Sequence, residues 1–408
     1  MNKSIYPWIV VALLWVVAAL NYIDRQVIFS LFPLLRADLH VTNTQLGFLG
    51  TAFLWVYGVA SPLGGYVADR FNRRSVILLS FVIWSAVTFL VGLAHSYSEL
   101  LTAQALLGVS EGFYLPAGLA LIADYHSGAT RSRAIGLHQS GLYAGVALGG
   151  FGGSWIGQHY GWHDVFYVLG ACGVLYSIVL FVALRDPPKR QEVRGSYVSV
   201  LPFTKAMREL ASNNSFLLLV LANGFAAISF WCIYAWLATF LYERFHVSLT
   251  AAGFSSTFYI QAASFAGILG GGWLADSWSR TNRRARAWTQ AIGLMLAGPA
   301  LFLAAGTGSW WILLPCLVCF GLGRGFFDCN LMPVLCQVVS EKLRATAYGI
   351  FNFTSCVCGG LMALAAGILK DRVGLGVALE VSAAFLVAGA VCLAVLKVNR
   401  VKPSAVNA

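Results

Sequence analysis

Charge is what this 408-residue chain is short of: Asp, Glu, Lys and Arg make up 11% of it, against roughly 25% in an ordinary soluble domain. With 59% apolar residues, its surface cannot be solvated by water alone, which excludes a soluble globular fold. The usual catalytic motifs are missing too. There is no His-rich tract, no HExxH and no nucleophile elbow, which leaves an intramembrane metalloenzyme or hydrolase without its chemistry. The nine cysteines all fall inside apolar runs. Cys316 and Cys319 form a CxxC, but no second pair or nearby histidine completes a zinc site, so they read as small packing residues. No metal or organic cofactor is predicted. The first apolar run lacks a small-residue cleavage site and reads as a retained span, not a signal peptide. The tails are a few residues long, too short for the signalling domain of a membrane sensor or receptor.

What the chain has instead is apolar length. Runs fall at about 7–35, 45–68, 75–95, 99–124, 133–158, 164–184, 213–242, 251–275, 287–305, 310–338, 346–371 and 376–397. At about 20 residues per span, they predict an all-α membrane protein of twelve transmembrane helices. A polar stretch with Pro187, Pro188 and many basic residues separates six spans from six. The domain reading is a six-helix bundle over 1–184, a cytoplasmic linker over 185–212 with a short interfacial helix near Phe203–Leu210, and a second bundle over 213–408.

The net charge of +11 would suggest nucleic acid in a soluble protein, but its placement argues otherwise. Of the 27 Lys and Arg residues, 21 fall in the tails, the linker and the loops after spans two, four, eight and ten. Only Arg36, Arg244, Lys370 and Arg372 fall on the other side. That bias satisfies the positive-inside rule and predicts both termini in the cytoplasm of a cell, with the bacterial inner membrane as the bilayer. Nucleic acid is not an expected partner.

The two halves repeat. Gly65-Tyr-Val-Ala-Asp69-Arg follows span two, and Gly272-Trp-Leu-Ala-Asp276-Ser follows span eight, 207 residues later. Pro116 and Asp124 match Pro333 and Glu341, both 217 apart; Arg131 and Gly136 match Arg344 and Gly349, both 213 apart. Two repeats in one membrane orientation are the layout of transporters whose solute site lies between the halves. A monomer suffices for that arrangement.

Few ionisable residues fall at membrane depth, and those few carry the functional reading. Asn21-Tyr22-Ile-Asp24-Arg25 lies inside the first span and Glu111 inside the fourth. A charge there costs about 2.5–3.5 kcal/mol on insertion scales. Asp24 and Arg25 point about 100° apart on a helix, so each needs a further partner. Arg324 and Asp328 sit one turn apart in span ten, with Asp328 in Glu111's place relative to the matched prolines. The carboxyls of Asp24 and Glu111 are suited to carry protons, and the guanidiniums of Arg25 and Arg324 to hold an anionic group. The competing reading is a set of self-neutralising ion pairs that fasten helices. His138 is the one histidine within a span, equally open to proton relay or to packing.

The segment Gly65–Arg74 resembles the signature loop of the major facilitator superfamily. By that resemblance Asp69, Arg70, Arg73 and Arg74, with Asp276 of the second copy, form a latch on the conformational state. Asn72 replaces the family's usual glycine, and the second copy lacks the arginine after the acid. Asn21-Tyr22-x-Asp24-Arg25, Trp55-Val-Tyr57, Gly108–Glu111 before Pro116 and Gly349-Ile-Phe-Asn352-Phe further resemble the anion:cation symporter branch. That likeness implies proton-driven symport of a small organic anion such as a sugar acid. Tyr22, Arg25, Tyr57 and Asn352 would contact the solute, and Asp24 and Glu111 would handle the proton. Gln104 stands where the branch has an arginine, and is taken with Arg324 into the solute-binding set. Leu142 stands where sugar-acid members have a glutamine. Spinster-like lipid transporters share the Asn-Tyr-x-Asp-Arg stretch and the span-four acid. An exporter of amphipathic, drug-like or lipid-like molecules is therefore the alternative.

Overall fold

The computed structural model of the protein describes residues 5–126, 128–185 and 203–397. The described residues run through helices α1 (Tyr6–Ser30), α2 (Phe32–Leu39), α3 (Asn43–Arg70), α4 (Arg73–Val91), α5 (Tyr97–Glu111), α6 (Tyr114–Tyr125), α7 (Gly128–Tyr160) and α8 (Trp162–Ala183). They continue through α9 (Phe203–Ala211), α10 (Asn214–Phe245), α11 (Leu249–Ser279), α12 (Ala285–Gly306), α13 (Trp310–Asp328), α14 (Leu331–Val338), α15 (Arg344–Arg372) and α16 (Leu375–Val395). A helix does form where one was expected near Phe203–Leu210, as α9. Residues 186–202 of the expected linker, including Lys189, Arg190 and Arg194, lie outside the described residues.

Twelve spans follow once α1 with α2, α5 with α6, and α13 with α14 are each counted as one crossing and the nine-residue α9 is left out. Among the described residues ten crossings are long and apolar enough to be recognised on those grounds alone. The remaining two, α7 and α11, have 33 and 31 residues, ample for a bilayer at 1.5 Å per residue. Their composition is diluted by small and polar residues because they spend one face on another helix. Along α7, a methyl on Gly145 or Gly149 would run into the backbone of α1, at Ala19 O and at Ile23 O. Such close approach gives van der Waals contact where lipid supplies little hydrophobic drive.

Three predicted runs are not continuous helices. The run from 7 to 35 divides at Leu31, just ahead of Pro33. The fourth span stops at Glu111 and restarts at Tyr114; the tenth stops at Asp328 and restarts at Leu331. A proline lacks the N–H for the i−4 bond, and its ring collides with that carbonyl. Pro116 and Pro333 place those carbonyls at Gly112 and Cys329, inside the two breaks. Glu111 and Asp328 therefore each close a half-helix. That end of a helix carries the negative pole of the dipole and is unfavourable for a carboxylate without a nearby cation.

Local signals set the turns. Thr42 and Gln45 make a reciprocal capping box at the start of α3. Asn72, in the place of the signature loop's glycine, accepts from Ser75 N at 3.2 Å and caps α4. By proximity the chain groups into two units. The first holds the described residues within 1–191, 231–261 and 360–378; the second holds those within 192–230, 262–359 and 379–408.

Candidate functional site

In the first unit, α1 carries two adjacent ionisable residues that turn to different partners. Arg25 Nε donates to Glu111 Oε2 at 2.7 Å, with the side chains 7% and 0% exposed. The guanidinium also lies over three rings, with its carbon 4.2 Å from the centroid of Tyr57, 4.9 Å from Tyr22 and 5.2 Å from Phe53. Each such cation–π contact is worth about 0.5–2 kcal/mol depending on desolvation. The ion pair supplies the cation that Glu111 needs at its half-helix end, joining α1 to α5.

Asp24 points the other way, to α4. Its Oδ2 accepts from Trp84 Nε1 at 3.0 Å and from Thr88 Oγ1 at 3.2 Å. Both donors are buried and neutral. Hydrogen bonds to a charged group contribute about 1.5–3 kcal/mol each, so two hold the carboxylate in place without cancelling its charge. Trp84 is itself wedged edge-on against Phe81 and Tyr114, with centroids 4.8 and 5.6 Å away. The Tyr114 hydroxyl donates to Leu14 O at 2.7 Å and shares a 2.9 Å hydrogen bond with His138 Nε2. His138 thus sits behind Tyr114 and Trp84, two aromatic layers from Asp24.

The charge balance follows from these contacts. Asp24, Arg25 and Glu111 are all buried, two carboxylates to one guanidinium, with Arg25 bonded to Glu111 and Asp24 turned to α4. Gln104 is buried in α5, two turns before Glu111 and on the same face. Being neutral, Gln104 adds no positive charge on that face.

The other expected site residues distribute as follows. Arg324 and Asp328 form an ion pair at 3.3 Å in the second unit, and the Arg324 guanidinium lies 5.4 Å from the Phe230 centroid. Asn352 is half-buried on α15, also in the second unit. Of the signature-loop residues, Arg73 pairs with Asp124 of α6 and Arg74 Nη2 donates to Phe181 O of α8 at 2.7 Å. The Arg70 guanidinium stacks 4.0 Å from its own helix's Tyr66, and Asp276 pairs with Arg286 at 2.9 Å. The Asp69 side chain lies outside the described residues. Trp84, Thr88 and Phe53 are additions that sequence reading did not single out. The segment Gly108-Val-Ser110-Glu111-Gly112 does spell G-x-S-x-G, the pattern of a nucleophile elbow. It is not a nucleophile elbow, because Ser110 is helical and its Oγ donates to Leu106 O at 3.0 Å.

The family model of the Major Facilitator Superfamily matches residues 14–363. The chain belongs to the major facilitator superfamily. Within it, the chain is 24% identical over 379 residues to the probable galactarate/D-glucarate transporter of Bacillus subtilis, covering 86% of this chain and 83% of that one. It is 29% identical over 365 residues to protein spinster homolog 1 of Homo sapiens, covering 83% of this chain and 68% of that one. A crystal structure of a bacterial homolog of the human lysosomal transporter spinster, inward-facing and occupied, superposes with a TM-score of 0.80 at 23% identity, covering 95% and 96% of the two chains. The expected major facilitator fold, twelve spans in two pseudo-symmetric six-helix bundles, is therefore the fold of this protein. It is a multi-pass membrane transporter of a small molecule, not an enzyme.

Proposed function

We propose that this major facilitator protein is a proton-coupled symporter of a small organic anion, working by alternating access. One observation carries the reading: of two buried carboxylates, Glu111 is paired with the buried guanidinium of Arg25, while Asp24 is held by the neutral donors of Trp84 and Thr88. Arg25 is the group suited to a solute carboxylate, because a guanidinium presents a planar fork of donors. Glu111 now occupies one side of that fork. A solute anion that takes Arg25 releases Glu111 into a buried setting without a cation, where a proton is the cheapest way to neutralise it. Anion and proton then load together. Asp24, held by neutral donors, is the second carboxyl that can exchange a proton in the cycle.

The name of the Bacillus subtilis relative supports hexaric acids as the solute class, since those are polyhydroxylated carboxylates of the kind a guanidinium and two tyrosine hydroxyls recognise. Tyr22 and Tyr57 flank Arg25 and are assigned to solute contact, with Gln104, Arg324 and Asn352 as the remaining contacts. Asp69, Arg70, Arg73, Arg74 and Asp276 are assigned to the conformational latch. The basic bias supports cytoplasmic termini in a bacterial inner membrane, and a single chain is the working unit.

The test is uptake of labelled D-glucarate or galactarate into proteoliposomes. An inside-alkaline gradient should drive accumulation, a protonophore should abolish it, and Arg25→Gln should lower it at least ten-fold. Uptake indifferent to gradient and protonophore would overturn the coupling. A second reading, an exporter of amphipathic molecules, is favoured by Gln104 and Leu142, which replace two polar residues of the sugar-acid pattern. Lysophospholipid flux with no hexarate flux from the same vesicles would select it.

A further inference from the structure

The two halves carry a second repeat, on the face opposite the end of α8. His40-Val-Thr42-Asn-Thr44 precedes Gly47, and His246-Val-Ser248-Leu-Thr250 precedes Gly253, with an offset of 206 throughout. The repeat extends to backbone conformation, because His40 and His246 are the described non-glycine residues with positive φ, both at 51°. It extends to capping as well. Thr42 caps α3 by accepting from Gln45 N, and Ser248 caps α11 by accepting from Ala251 N, each at 3.1 Å. In both helices this satisfies one of the orphan amides of the first turn and leaves the one before it, at Thr44 and Thr250, in need of an acceptor.

That acceptor comes from another helix, and from the opposite half of the sequence. Thr44 N and Oγ1 both donate to Asp371 Oδ2 at the end of α15, at 3.1 and 3.0 Å. Thr250 N and Oγ1 both donate to Gln158 Oε1 near the end of α7, at 2.9 and 2.8 Å. Asp371 and Gln158 are themselves 213 apart, the offset that relates Arg131 to Arg344. Below each pair, the helices touch at backbone distance through matched positions. A methyl on Gly47 would meet Ala363 O at 2.5 Å, and one on Gly253 would meet Gly150 O; Ala363 and Gly150 are again 213 apart. All of these residues belong to the first unit.

We infer that Thr44–Asp371 and Thr250–Gln158 are the two arms of one clasp, which shuts this face of the transporter and must release for the path to open there. The positive-inside reading makes it the outer face. Each arm joins a span of one half to a span of the other, so parting the halves at this end cannot proceed with either arm intact. Each arm also satisfies donors that a helix start would otherwise turn to water, so release of the arm and wetting of the helix ends go together. The arms differ in charge. The Asp371 carboxylate gains the positive pole of α3 and a further donor, Asn43 Nδ2 at 2.5 Å, whereas Gln158 is neutral.

Hydrogen–deuterium exchange on the full-length protein in nanodiscs tests this without any solute, so its failure is separable from failure of the symport proposal. A lost first-turn cap is worth on the order of five- to ten-fold in local opening. Asp371→Ala should speed exchange by about that factor in residues 43–50 and, because the arms act together, in residues 249–257 too. Gln158→Ala should do the same in both segments. Asp371→Asn, which keeps an amide acceptor like that of Gln158, should stay within about two-fold. Thr250→Val removes one hydroxyl only, and should still speed exchange in residues 43–50 if the alanine variants do not accumulate. Acceleration confined to the helix start beside each substitution, or none at all, would reduce the arms to separate helix caps and overturn the inference.

Discussion

Replacing Arg25 with glutamine removes the cation bonded to Glu111, whose side chain is fully buried. Breaking one side of a buried ion pair costs about 3–5 kcal/mol, because the surviving charge stays out of water. An unfolding entropy of about 2.1 cal/mol/K per residue over 408 residues turns that into a fall in Tm of roughly 4–6 °C. Glu111→Gln alone should cost a similar amount, by stranding the guanidinium among its three rings. The double variant Arg25→Gln/Glu111→Gln holds two neutral amides in the same place and should recover at least half of the loss. The assay is thermal unfolding of detergent-purified protein followed by tryptophan fluorescence. Strictly additive losses in the double variant would show that the two residues do not act as a buried pair, and the charge argument would fail with them.

Trp84→Phe and Thr88→Val each take one donor from Asp24. Each should lower proton-driven accumulation of D-glucarate about ten-fold, as one charged hydrogen bond is worth roughly 1.5–3 kcal/mol, while counterflow stays within about two-fold. In an Asp24→Asn background neither should add anything, which the same uptake assay reads. Gly108→Ala pushes a methyl against Phe53 O at 2.7 Å; it should lower stability by about 1–3 kcal/mol in a melting experiment. Gly136→Ala, with nothing within 4 Å, should leave the melt unchanged. Asp276→Asn breaks a pair whose carboxylate side is 71% exposed. It should shift Tm by less than about 1 °C, since exposed pairs contribute at most about 1 kcal/mol.

The spans were legible because lipid demands long apolar helices, and the positions of the buried charges were legible because they are costly there. Their partners were not. Arg25 and Glu111 were both marked as ionisable at depth, yet 86 residues separate them, and only the crossing of α1 with α5 makes them a pair. Trp84 and Thr88 lie in a run of apolar and small residues that gives no sign of a carboxylate nearby. The breaks beside Glu111 and Asp328 could have been placed from Pro116 and Pro333, whose missing i−4 bonds fall at Gly112 and Cys329. The repeat around His40 and His246 is plain in the residues as well. Its meaning is not, because the acceptors Asp371 and Gln158 lie more than ninety residues away in the chain.

The coupling of solute to proton is tested most directly by following both in one vesicle. Proteoliposomes with a pH-sensitive dye inside and no imposed gradient are given external D-glucarate or galactarate. Inward movement of solute should acidify the lumen with wild-type protein. Asp24→Asn/Glu111→Gln should show no acidification while still exchanging labelled for unlabelled solute. Solute entry without acidification in the wild type, or acidification that survives loss of both carboxyls, would contradict the account.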